Sequence, residues 1–224
     1  TLFYCDTTAN ELIVPTKKTW DLFKQKYCLE KNIYIIPTGI EIERFYSEKI
    51  DKERLNAIKK KYGFSSKDFV LLFVGRLGKE KNIDFLIDCQ KDLISKIPNL
   101  RLLIIGDGPE RSYFEERVQK LKLTNSVIFT GMVPWAEIPN YYQLADLFVT
   151  ASKTETQGLT VIEAMAASKP PICIDDESFN LTVTDDLNGK IFKNKREYKN
   201  IIIELYNDKS KISNMAKQAR LNAE

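Results

Sequence analysis

Short apolar runs, rich in β-branched residues, recur along this chain, each separated from the next by a longer amphipathic stretch. No other feature narrows the possible folds as far. The runs fall at residues 34–37, 69–74, 101–105, 127–130, 146–150, 171–174 and 190–192. Most are apolar on both faces, as strands are when helices cover a sheet above and below. Gly39, Gly75 and Gly106 follow three of them as turn residues. Repeated strand–helix–strand units predict an α/β fold, with a Rossmann-like open parallel sheet, right-handed crossovers and helices on both faces.

The stretches between the runs read as helices. Asn82 is placed to cap a helix with Ile83, Leu86, Ile87, Ile94 and Ile97 on one stripe. Pro109 stands where a first helical residue would, followed by Glu110 and by Phe114, Val118 and Leu121 at helical spacing. A third helix is predicted from about 159 to 167. The first 28 residues fit this unit poorly. They hold a further buried strand at 11–15 and a helix at 18–27, and read as the remnant of an upstream domain, with the main domain over 29–224. The opening at Thr1 rather than Met suggests an excised segment.

Composition removes several classes of function. With 43% hydrophobic residues the chain has material for a core, and no apolar run is long enough to span a membrane. No signal-peptide pattern is visible at the N-terminus. Cys5, Cys28, Cys89 and Cys173 lie far apart without a C-x-x-C pair, and read as reduced thiols of a cytoplasmic protein. Histidine is absent, which removes a Ser-His-Asp triad unless another domain supplies the base. A net charge of +3 is too small to argue for nucleic acid; the lysines read as a solvated surface, with some room for contact with an anionic membrane.

In an open parallel sheet, ligands bind beyond the carboxyl ends of the strands. The loop after the run at 69–74, GRLGKEKN, carries Arg76 and Lys81. Two cations there can neutralise a diphosphate, or can pair with Glu80 or Asp84 as surface salt bridges. The loop after the run at 146–150 leads into SKTETQGLTVIEAMA, with Glu155 and Glu163 in an E-x₇-E spacing. Gly158 lets the backbone approach a ligand, and the following helix offers free N–H groups and a positive dipole end to a phosphate. Glu155 on the loop and Glu163 one turn into the helix suit two different hydroxyl-bearing groups. The competing reading is a capped helix with an exposed Glu at each end.

Other signals are weaker. Gly106-Asp107-Gly108 begins like a dinucleotide fingerprint, but Arg111 occupies the third glycine position. Asp175-Asp176 and Asp185-Asp186 are acidic pairs that read as solvated turns rather than metal ligands. Trp135, Tyr141 and Tyr142 read as packing rather than as a stacking platform.

Taken together, these residues resemble the retaining glycosyltransferases of GT-B architecture. The resemblance rests on Gly75-Arg76 with Lys81, GDGPE at 106–110, FTGMV at 129–133, ADLFVTAS at 145–152, and E-x₇-E followed by Ala164-Met165-Ala166. IPTGIEIERF at 36–45 is similar to that family's entry into its C-terminal domain, and order and spacing match from about 32 to 193. The resemblance implies that Arg76 and Lys81 bind the donor diphosphate, Glu155 holds hydroxyls of the transferred sugar, and Glu163 holds the ribose. Arg76, Lys81 and Glu155 would be the catalytic set. Gly75, backbone around Met132 and Val133, and Gly158, Leu159 and Thr160 would complete the donor site. It further implies no cofactor beyond a nucleotide diphosphate sugar, a UDP-linked hexose such as UDP-glucose, and no obligatory metal.

TETQGLT at 154–160 is similar to bacterial enzymes that glucosylate diacylglycerol, which implies a lipid or sugar acceptor held mainly by a missing N-terminal domain. It also implies peripheral contact with the inner face of the cell membrane. Where many relatives have a glycine pair, this chain has Ser178-Phe179-Asn180, which changes one wall of the sugar pocket. Two other functions suit the same architecture: a nucleotide-sugar epimerase and a non-catalytic nucleotide-sugar-binding module.

Overall fold

The computed structural model describes residues 8–27 and 30–224. Strands β3 (Phe69–Val74), β4 (Leu100–Ile105), β5 (Val127–Gly131), β6 (Leu147–Thr150), β7 (Pro171–Ile174) and β8 (Lys190–Phe192) form one parallel sheet in the order β5-β4-β3-β6-β7-β8. This is the predicted α/β sheet. Side chains of β3 from Phe69 to Phe73 are all nearly inaccessible, which explains why that run is apolar on both faces.

The chain leaves β3 toward β4 and β5, then crosses back to β6 and continues outward to β7 and β8. Right-handed crossovers in opposite directions put their helices on opposite faces. Accordingly α3 (Ile83–Leu93) packs on α4 (Arg111–Lys120) and α7 (Lys195–Asn207). On the other face α2 (Lys52–Tyr62) packs on α5 (Ile138–Leu144), and α6 (Leu159–Ala166) on α8 (Lys209–Ala223). Cys89 and Cys173 are buried free thiols, and burial pushes both up, Cys89 to about 12. Cys5 and Cys28 lie outside the described residues.

Three local expectations need correction. The run expected at 34–37 does not join the main sheet. As β2 (Asn32–Ile35) it pairs in parallel with β1 (Glu11–Val14) in a sheet of two strands, Leu12 beside Ile33 and Ile13 beside Tyr34. Only Val14 and Ile33 of this pair are buried, while Ile13, Tyr34 and Ile35 are exposed, so an apolar run here did not mean a strand covered on both sides. The small sheet draws strands from either side of the boundary expected at 28/29. Between the strands lie α1 (Lys17–Asp21) and a π-helical turn, Leu22–Lys26.

Asn82 precedes α3 as expected but does not cap it by side chain. Its backbone is left-handed (φ 52°, ψ 41°), outside the extended region that lets a side chain reach back, and its amide donates instead to the Ala151 carbonyl at 3.3 Å. Ile94 and Ile97 lie beyond the end of that helix. Pro109 is not the first residue of α4, which begins at Arg111; Glu110 donates its N–H to the Leu77 carbonyl at 3.0 Å before the helix starts.

Candidate functional site

The direction of travel reverses between β3 and β6, so the loops after these two neighbours diverge and leave a crevice at their carboxyl ends. The loop after β3 brings Gly75, Arg76 and Lys81; the loop after β6 brings Glu155 and Gly158. The two loops are stitched together. Lys81 Nζ donates to Glu155 Oε1 at 2.6 Å, and the Thr154 hydroxyl lies 3.4 Å from the Glu80 carbonyl oxygen. The crevice also depends on close backbone approach. Gly106, after β4, is at φ 130°, and a Cβ there would stand 1.9 Å from the Gly75 carbonyl oxygen.

A cavity of about 660 Å³ opens over the ends of β3, β4 and β5. Of the expected residues it gathers Gly75, Arg76, Met132, Val133, Thr160 and Glu163. A smaller cavity of about 200 Å³ is lined by Glu155, Gly158, Leu159 and Thr160. Thr160 lines both, so the two chambers meet at the start of α6. Gly158 makes that start possible. It is left-handed at φ 71°, and an added Cβ would approach the Phe179 ring to 3.0 Å. The first N–H groups of a helix have no partner within it, and of the residues that carry them Leu159 lines the smaller chamber and Thr160 both. Lys81 lines neither chamber and is held at the edge by Glu155.

The competing readings of the charged residues separate here. Arg76 is 66% exposed and only loosely paired, 3.6 Å from Glu80 Oε1. Lys81 pairs with neither Glu80 nor Asp84; Asp84 faces Arg117 at 3.3 Å instead. Glu163 is not an exposed helix residue, as the competing reading of the E-x₇-E spacing required, since it is only 5% accessible. Burial pushes its carboxyl up to about 6, against the pull of a hydrogen bond from Tyr142 and of the Arg44 charge.

Tyr142, assigned to packing from the sequence, does pack, edge-on against Phe45 at 5.3 Å between ring centres. Its hydroxyl also donates to Glu163 Oε2 at 2.7 Å. Trp135 departs from the packing reading: it is 53% exposed and lines the larger cavity, with the Arg44 guanidinium 4.9 Å from its ring centre. Ser178 and Phe179, the departure noted in the sequence, become a prop for the loop that carries Glu155. Phe179 is buried beneath Gly158, and the Ser178 hydroxyl lies 2.6 Å from the Glu155 carbonyl oxygen.

Asp176, Asp185 and Asp186 of the acidic pairs are engaged in structure. Burial raises Asp176, but hydrogen bonds from Lys18 and Ser178 outweigh it and hold the carboxyl below its usual range. Asp185 accepts the Ile191 N–H at 2.8 Å, and Asp186 pairs with Lys190 and Lys211. Among the described residues no three acidic or cysteine side chains form a cluster that could hold a metal ion. No described helix is long and apolar enough to cross a membrane.

The family model for glycosyl transferases group 1 matches residues 56–222. The chain belongs to that family. This group 1 glycosyltransferase domain is 36% identical over 211 residues to the alpha-monoglucosyldiacylglycerol synthase of Acholeplasma laidlawii, covering 94% of this chain and 52% of the relative. Its identity to the enzyme of the same name from Streptococcus pneumoniae is 34%, over 86% of this chain and 44% of the relative. The chain thus spans about half the length of the curated relatives it matches. Among solved structures it resembles Anabaena HepE in complex with UDP and glucose, with a TM-score of 0.85, 22% identity, and coverage of 99% of this chain and 60% of that one. It also resembles the C-terminal domain of Francisella tularensis LpcC, with a TM-score of 0.70 and 23% identity, over 82% of this chain and 96% of that one. The group 1 domain therefore has the GT-B-type fold that its sequence motifs imply.

Proposed function

We propose that this chain is the donor-binding half of a two-domain hexosyltransferase that takes glucose from UDP-glucose and delivers it, with retained configuration, to diacylglycerol. One observation carries the reading. Two chambers share the first turn of α6, with a buried carboxylate, Glu163, in one and a second carboxylate, Glu155, in the other. A nucleotide sugar has the matching order: ribose hydroxyls, a diphosphate, then sugar hydroxyls. Glu163 accepts from the ribose, and Met132 and Val133 frame the base. Arg76, Lys81 and the N–H groups at Leu159 and Thr160 meet the diphosphate, and Glu155 accepts from the hexose.

Charge that builds on the departing diphosphate is met by Arg76 and the helix end, with Lys81 reaching in from the edge where Glu155 holds it. The reaction then needs no cofactor and no metal. The donor assignment draws support from the solved complexes of HepE with UDP and with UDP-glucose. The acceptor assignment draws on the relatives named alpha-monoglucosyldiacylglycerol synthase. A lipid acceptor would bring the whole protein to the inner face of the cell membrane from the cytoplasm.

Calorimetric titration of this chain with UDP-, GDP- and ADP-glucose tests the donor, and UDP-glucose should bind tightest. Product analysis on the whole protein tests the reaction. A glucosylated diacylglycerol with the donor's anomeric configuration supports it; a free epimerised sugar nucleotide, or an inverted product, overturns it.

A further inference from the structure

The loop that carries Glu155 has little apolar anchorage, since Lys153, Thr154 and Thr156 are exposed. It is held by polar contacts, and four of them come from the segments that follow β1 and β2. The Gln157 amide closes a two-bond ring with the backbone of Thr38. The Thr38 N–H donates to Oε1 at 2.9 Å, and Nε2 donates to the Thr38 carbonyl at 2.9 Å. One residue earlier, the Thr16 hydroxyl donates to the Thr156 carbonyl at 2.8 Å. Lys18 Nζ reaches the Lys153 carbonyl at 3.2 Å. Thr16 follows β1 and Thr38 follows β2, so both segments leaving the small sheet end on the loop that presents Glu155.

Gln157 treats the Thr38 backbone as a neighbouring strand would. A side-chain amide holds one donor and one acceptor at the spacing this needs, whereas a carboxylate only accepts and a thioether does neither usefully. Lys81 from the loop after β3 holds the Glu155 carboxylate, and Ser178 holds its backbone carbonyl at 2.6 Å. The Gln157–Thr38 ring, two residues on, adds the contact with two well-aligned bonds that ties this loop to the segment after β2. Arg76 and Glu163 stand on other elements and do not depend on this anchor.

We propose that Gln157 is a positioning residue that transmits the seating of the β1–β2 unit to the Glu155 carboxylate, so that the hexose subsite is assembled only when the segments after β1 and β2 are docked on the loop. This rests on the assignment of Glu155 to the hexose. It makes the small sheet part of the donor site's construction, although neither β1 nor β2 lines the nucleotide chamber.

The test uses this chain with UDP and UDP-glucose in a calorimeter. Gln157→Met should leave the Kd for UDP within about twofold and weaken UDP-glucose about tenfold. In a Glu155→Gln background the same change should cost nothing further, because the group being positioned is already lost. Gln157→Glu should behave like Gln157→Met at about pH 8. It should return toward wild type, measured at the same pH, as the pH falls to about 4, below the ordinary glutamate pKa, because a protonated carboxyl again offers one donor and one acceptor.

Equal losses for UDP and UDP-glucose would mean general damage and overturn the proposal, as would additive effects of the two substitutions or no recovery of Gln157→Glu on protonation. Glu155→Gln alone reads the assignment beneath. If it leaves the UDP-glucose to UDP affinity ratio unchanged, the hexose role of Glu155 fails and the coupling falls with it. If it lowers that ratio while Gln157→Met does not, the positioning role alone fails.

Discussion

The Tyr142 hydroxyl donates a 2.7 Å hydrogen bond to Glu163 Oε2 where Tyr142 is fully buried and Glu163 is 5% accessible. One hydrogen bond does not replace the water that the carboxylate loses, so its pKa stands at about 6, above the ordinary 4.5. The folded state therefore takes up this proton more readily than the unfolded chain. Stability falls as pH rises from about 4.5 to about 6, and above that the full cost, on the order of 2 kcal/mol, is present. Glu163→Gln removes the charge and still accepts from Tyr142. Thermal melts should show the variant gaining on wild type by about 2 kcal/mol more at about pH 7.5 than at about pH 4.5. An unchanged difference between the two pH values would refute the burial argument.

If Glu163 holds the ribose as proposed, donor binding should depend on pH, because hydroxyls that donate to the carboxylate favour its charged form, lower its pKa and expel a proton. UDP-glucose is the right probe, because its pyrophosphate has no proton titrating near about pH 6, where Glu163 titrates. Affinity should rise from about pH 5 to about pH 7 and then level, with proton release visible as a dependence of the binding heat on the buffer used. Glu163→Gln should abolish both effects, and a wild-type affinity that is flat with pH would count against ribose at Glu163.

Much of this was legible in the sequence, for identifiable reasons. Strands β3 and β7 fall on the predicted residues because strands of a covered sheet are apolar throughout, and β8, at the sheet's edge, is marked by Ile191 and Phe192. The rule that ligands sit beyond strand ends then pointed to Arg76, Glu155 and Gly158. Periodicity cannot report which distant side chains meet. Lys81 finds Glu155 across 74 positions, Tyr142 finds Glu163 across 21, and Gln157 finds Thr38 across 119. A lone glutamine in a loop carries no pattern at all. The run at 34–37 was misplaced because a short apolar strand looks alike whether two helix layers cover it or none does.

Arg76 and Lys81 should behave differently when removed, although both are assigned to the diphosphate. Arg76 is exposed and weakly paired, so Arg76→Ala should leave stability within about 0.5 kcal/mol. It should weaken UDP by roughly 1.5–3 kcal/mol, the scale of a hydrogen bond to a charged group. Lys81 and Glu155 are each about a fifth exposed, so Lys81→Ala strands a partly desolvated carboxylate. It should cost on the order of 1–2 kcal/mol of fold stability besides its loss of UDP affinity. Urea titrations with UDP calorimetry separate the two. Uridine should bind both variants nearly as it binds wild type, and a matching loss for uridine would remove the phosphate assignment.

Glycine at 106 should be irreplaceable on backbone grounds alone. A methyl group there meets the Gly75 carbonyl oxygen at 1.9 Å on a φ of 130°. The clash is with backbone, so β3 and β4 must shift apart at the floor of the crevice. Gly106→Ala should cost roughly 3–5 kcal/mol, from strain plus lost sheet packing. Gly39 is the control, since an added Cβ there meets nothing within 4 Å. Gly39→Ala should lie within about 0.5 kcal/mol of wild type. A urea midpoint for Gly106→Ala close to that of Gly39→Ala would contradict the geometry.

The lipid acceptor is testable apart from the donor site. Diacylglycerol stays in the bilayer, so the enzyme must reach it from the surface, through apolar groups and basic charge. This chain carries a net charge of only +3, with 34 basic and 31 acidic residues, too little to hold a membrane strongly. The remaining half of the protein should supply most of the contact. The whole protein should therefore sediment with anionic liposomes at low salt and release as salt approaches the range where the screening length falls below about 10 Å. This chain alone should stay in the supernatant at every salt concentration. In mixed micelles the whole protein should glucosylate diacylglycerol from UDP-glucose. If it ignores lipid and glucosylates a soluble sugar or a protein instead, the acceptor assignment falls, while the two-chamber donor site, tested by binding alone, still stands.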